Sequence, residues 1–145
     1  MLGDGMVAKV ALFALADQLF ALRVEGVRHI VSVPRIFSLP LLRKGLCGVF
    51  LYQGDVVPLL DLWDVLGLET PKDGARGQFS VVHSTESGLI GLPASRILSI
   101  VNSGQGIIEN GAGGDRAAGM DRVFVVDGTR YPLLDMEKLV TSLPR

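Results

Sequence analysis

The chain has 145 residues, of which 48% are hydrophobic and 20% charged, and its 14 basic and 15 acidic side chains leave a formal net charge of −1. This length makes a single domain, or two small lobes on a shared core, and buries about 70% of the unfolded surface without disulfides or metals. With no basic stripe, nucleic-acid binding is disfavoured, and the lone Cys47 excludes an internal disulfide and fits a reducing compartment.

Val7 to Ala16 and Leu19 to Val24 are apolar runs parted by Asp17-Gln18, which predicts a hairpin. Within the first, Val10 to Ala16 is too short to cross a bilayer. Ala14-Leu15-Ala16 is similar to a signal-peptidase site, but Asp4 and Lys9 make a poor n-region. The run is read as the first strand of a cytoplasmic protein with no direct membrane insertion. Val27 to Val33 is rich in β-branched residues and stops at Pro34, which restricts it to an edge. Pro34 to Lys44 reads as a loop. Leu46 to Tyr52 and Asp55 to Leu60 flank Gln53-Gly54, a second hairpin whose glycine accepts positive φ. Asp61 is placed as a helix N-cap, Leu62, Val65 and Leu66 follow at helical spacing, and Gly67 can end the helix. Glu69 to Gln78 mixes Pro71, Gly74 and Gly77 with charges and reads as a link.

Beyond that link the pattern starts again. Ile90-Gly91-Leu92 echoes Phe20-Ala21-Leu22, and Val27, Ile30 and Val31 return as Ile97, Ile100 and Val101. Asn102 to Gly119 is glycine-rich without periodicity and is expected to be a mobile surface loop. Phe50 to Asp61 then recurs, ungapped, as Phe124 to Asp135, with Phe, Gly, Pro, Leu, Leu and Asp in register. Met136, Leu139 and Val140 give the second copy its own helix face. The chain is therefore a doubled unit. It is expected to be one domain, 1–145, with lobes 8–70 and 78–143 joined by a linker at 71–77. Short strands between Gly and Pro turns point to two small β-barrels. A surface so sparsely charged also fits an apolar patch meant for another protein, or equally a doubled core.

Catalytic chemistry is missing. His29 and His83 stand far apart with no second ligand at metal spacing, and no Gly-x-Ser-x-Gly elbow occurs. Gly104-Gln105-Gly106 lacks the third glycine of a dinucleotide loop, and no Gly-Lys-Ser/Thr follows. Asp61 and Asp135 occupy matching points of the two copies, so duplication explains the pair. No catalytic residue, metal or cofactor is expected.

The run Leu22 to Ile30, then Pro34-Arg35-Ile36, Pro40, Gly48-Val49 and Gly54 to Leu62, together with Gly128 to Leu139, resembles the CheW-like domain over about residues 8–143. The resemblance implies a mostly β fold: two SH3-like five-stranded β-barrels on a shared apolar core, with short helices. It implies a non-enzymatic adaptor coupling chemoreceptors to a CheA-type histidine kinase. In that family the chemoreceptor cytoplasmic tip docks between the barrels, which carries over to Val27, His29, Gln53, Gly91, Ile97 and Ile100. The kinase regulatory domain packs on the first barrel, which carries over to Gly48, Val49, Gly54 and Val56. The chain departs from the family at His29, where Glu is usual, and at Gln53, where Arg is usual. A neutral Gln cannot supply a guanidinium's five donors, so a diverged or accessory paralogue is implied. The competing class is a small-molecule-binding β-barrel sensor using the inter-barrel groove as a pocket, which a co-purified ligand would reveal.

Overall fold

The computed structural model describes residues 8–32, 35–40, 44–67, 69, 77–111 and 120–143, with Leu66 described by its backbone alone. Residues 71–76 of the expected 71–77 linker, the stop at Pro34 and the latter part of the glycine-rich loop, 112–119, lie outside the described residues.

The first half forms β1 (Lys9–Leu15), β2 (Gln18–Arg23), β3 (Val27–Ser32), β4 (Leu46–Tyr52), β5 (Asp55–Leu60) and α1 (Leu62–Leu66). The second forms β6 (Phe79–Thr85), β7 (Gly88–Ala94), β8 (Arg96–Asn102), β9 (Ile107–Asn110), β10 (Arg122–Val126), β11 (Thr129–Leu134) and α2 (Met136–Thr141). The repeated segments fold alike. Gln53-Gly54 and Asp127-Gly128 are two-residue turns with positive φ at both positions, the geometry that matches strand twist in a hairpin. Asp61 and Asp135 cap their helices, each accepting from the backbone N–H three residues on, at 3.2 and 3.1 Å. Gly67 closes α1 at φ 72°.

Two antiparallel-rich sheets result, ordered β8-β1-β2-β11-β10-β9 and β3-β6-β7-β5-β4. They do not follow the division into lobes 8–70 and 78–143. The β1–β2 hairpin pairs with β8 and β11 of the second half, and the β6–β7 hairpin pairs with β3 and β5 of the first. The registers match across the repeat: Val27 lies opposite His83, as Ile97 lies opposite Phe13. The exchange arises at tight corners. Val27 N–H donates to Val24 O at 2.9 Å beyond β2, and Ser95, the one residue between β7 and β8, donates to Ala14 O at 2.7 Å. Each corner carries the chain from one sheet to the other.

The glycine-rich segment corrects the loop expected there. Ser103–Gln105 is a 3₁₀ turn and β9 pairs with β10 from Ile107 opposite Val125 to Asn110 opposite Arg122, giving that sheet a sixth strand. Four residues were too few for periodicity to mark them. In the first half the counterpart of β9 is a single bridge, Phe37 to Val49.

Each sheet has its own core. Val10, Leu12, Ala21, Phe124, Val126 and Leu133 fill one, and Phe50, Val57, Leu59 and Val82 fill the other. A third, larger cluster lies between them. It takes Phe13, Leu15 and Phe20 from one sheet, Val81, Ile90 and Leu92 from the other, and Trp63, Leu139 and Val140 from the helices. A shift between Leu12 and Phe13 in the β1–β8 register divides that strand between two cores. Among the described residues no helix is long and apolar enough to cross a membrane.

Candidate functional site

Strands β3 and β8 are the matched edges of the two sheets, and both carry the pattern of a strand with one face uncovered. Val27 and Ile97 are half-buried and pack on the core shared by the sheets. From these anchors an apolar row continues outward, through Ile30 on β3 and through Leu98 and Ile100 on β8, with Ile100 55% exposed. Their burial is therefore divided: Val27 and Ile97 hold the fold, while Ile100 faces solvent.

His29 is exposed, and its ring stands edge-on to Tyr52 with centroids 5.7 Å apart. Tyr52 ends β4, the opposite edge of the same sheet, so the two edges approach each other at this ring contact. Gln53 is exposed beside Tyr52 in the turn, at φ 50°. Three residues expected on the docking surfaces, Gly91, Gly48 and Val49, are buried. Gly91 is buried between β5 and β6, and a Cβ there would lie 2.5 Å from the Phe50 ring and 2.7 Å from Ser80 Oγ. Its missing Cβ leaves room for the Phe50 ring. Gly48 and Val49 are buried as well, because Phe37 N–H donates to Val49 O at 2.7 Å and Val49 N–H to Phe37 O at 2.9 Å.

The uncovered part of that hairpin is its tip. Leu51 and Val56 are cross-strand partners, 62% and 61% exposed. Leu51 was missed in the sequence, although its place opposite Val56 across Gln53-Gly54 marked it. The second copy shows what covering such a tip looks like. Val125 faces Arg130, β9 runs alongside, and Arg130 pairs with Glu109 at 3.0 Å. Two apolar side chains, left bare in one copy and replaced or covered in the other, form the candidate docking tip.

No group of three or more His, Cys, Asp and Glu among the described residues could hold a metal. His83 is a shifted titratable group, 8% exposed on β6 with Nδ1 unpartnered among the described residues. Burial lowers its pKa from 6.5, against the opposing pull of backbone groups at Ser84 and Glu25 and of the Glu137 carboxylate. The unfolded chain thus binds a proton more readily than the native one. His83 contributes no slope above 6.5, costs stability as pH falls from there to its lowered value, and levels off below it. Thermal melts from pH 8 to 5 are expected to show this loss, and His83→Phe to reduce it; an unchanged slope in the variant contradicts the assignment.

Known proteins bear on this geometry in two ways. The family model described as CheW-like domain matches residues 9–143. The crystal structure of the scaffolding protein TtCheW from Thermoanaerobacter tengcongensis is similar to this chain with a TM-score of 0.77 and 17% identity, covering 92% of this chain and 88% of that one. At that identity the likeness shows the fold. Among curated proteins no sequence matches.

Proposed function

The chain belongs to the CheW-like domain family, and from that membership we propose that it is a non-catalytic cytoplasmic adaptor coupling chemoreceptors to a CheA-type histidine kinase. The observation that carries the kinase half is the bare Leu51–Val56 tip, flanked by Gly54. An exposed apolar pair on a rigid hairpin is the kind of anchor that a barrel of similar shape can bury at the centre of an interface. The receptor half rests on the paired edges β3 and β8, with His29, Ile30, Leu98 and Ile100 exposed along them. Gln53, neutral at a turn where the family usually has Arg, fits a receptor lacking the usual acidic partner.

Titration of a CheA-type regulatory domain into this chain tests the reading. Saturable one-to-one binding at micromolar concentration is the expected result. No binding at tens of micromolar, with both proteins folded, overturns it.

A further inference from the structure

The duplication gives the molecule an internal control. Positions 13 and 63 in the first copy correspond to 83 and 137 in the second, by the offsets of the repeat and by the matched strand registers. In the first copy they are Phe13 and Trp63, buried in the shared core. In the second they are His83 and Glu137, beside a cavity of about 340 Å³. Gly48 and Cys47 likewise correspond to Arg122 and Asp121, which line the same cavity. One copy is plugged with aromatic rings, and the other is open and polar.

The cavity sits where β2, β10, β11 and the start of α2 meet β6 of the other sheet. Its floor is apolar, formed by Leu22, Leu133, Leu134 and Met136. Its rim carries both signs of charge. Three of its acids are already committed: Asp135 Oδ1 accepts from Lys138 N–H, Glu137 accepts from Glu86 N–H at 3.2 Å, and Asp121 pairs with Lys138 at 3.8 Å. The side chains of Arg23, Glu25 and Arg122 have no hydrogen bond or ion pair among the described residues. His83 lines the cavity too, with its buried Nδ1 lacking a partner.

We propose that this cavity binds a small zwitterion with an apolar body, of which α-amino acids with aliphatic side chains are the fitting class. The guanidinium groups of Arg23 and Arg122 take the carboxylate, since their planar donors suit it. Glu25, helped by the acidic rim, takes the ammonium, with His83 on the cavity wall. The aliphatic body rests on Leu22 and Met136. The size lies within the range of small-molecule pockets. This site is separate from the Leu51–Val56 tip, and its test does not depend on kinase binding.

The experiment is an NMR titration of the full chain with L-leucine, with isopentylamine, which lacks the carboxylate, and with 4-methylpentanoate, which lacks the ammonium. Saturable shifts at Arg23, His83 and Glu137 are expected with leucine at millimolar concentration, and binding at least roughly tenfold weaker with either half-ligand. Arg122→Ala, at an exposed position, is expected to weaken leucine binding by a similar factor. The double variant His83→Phe, Glu137→Trp rebuilds the plugged copy and is expected to abolish the response. Absence of saturable shifts with leucine, equal response to all three compounds, or leucine binding unchanged in Arg122→Ala or in the folded double variant overturns the proposal.

Discussion

Gly91→Val is expected to destabilise the protein by on the order of 3 kcal/mol, which for this size lowers the melting temperature by roughly 10 °C. The cause is steric. The new Cβ would enter the space of the Phe50 ring, whose exposure is 0%, and of Ser80 Oγ on β6. Neither neighbour can swing into solvent, so the strands must part or Phe50 must leave its rotamer. Were Gly91 a receptor contact, the same change would leave the melt alone and weaken docking. Phe50→Leu in the Gly91→Val background is expected to recover part of the loss, giving a non-additive cycle. Additive losses contradict direct contact between the two positions.

Leu51→Asp combined with Val56→Asp is expected to weaken binding to the kinase regulatory domain by about 30-fold or more. That corresponds to the roughly 2 kcal/mol of a central hot spot. Both side chains are largely exposed, so each change should alter stability by no more than about 0.5 kcal/mol, although the two carboxylates would repel as cross-strand neighbours. Ile107→Asp is the matched control: an exposed isoleucine on β9 of the other sheet, whose loss should leave affinity unchanged. Equal weakening by both variants would mean that general surface polarity, and not the β4–β5 tip, governs binding.

Much of this was legible in the residues. The repeat announced itself because its turns and caps are chemically demanding: Gly54 and Gly128 take positive φ, and Asp61 and Asp135 cap short helices. The strand spans follow from apolar runs between those signals, and the shared core from the abundance of apolar side chains. The exchange of hairpins was hidden because periodicity marks a strand and not its neighbour. Only the corners at Gly26 and Ser95, read in three dimensions, decide which sheet receives β3 and β8.

The exposure of the expected docking residues was legible in part. Val56, His29 and Ile100 are exposed as a docking surface requires, while Gly91, Gly48 and Val49 are buried by Phe50 and Phe37, contacts distant in sequence. Copy-to-copy differences proved more informative than shared residues. Leu51 and Val56 against Val125 and Arg130 mark the bare tip, and Phe13 and Trp63 against His83 and Glu137 mark the open cavity.

In the proposed coupling role, one chain holds a receptor and a kinase at the same time through different surfaces. Size-exclusion chromatography with light scattering, on a mixture of this chain, a receptor cytoplasmic tip and a CheA-type regulatory domain, measures this directly. The expected result is a ternary species whose mass is the sum of the three and which loses only the kinase domain when Leu51 and Val56 are changed to Asp. Two mutually exclusive binary complexes, or no complex at all, would contradict it.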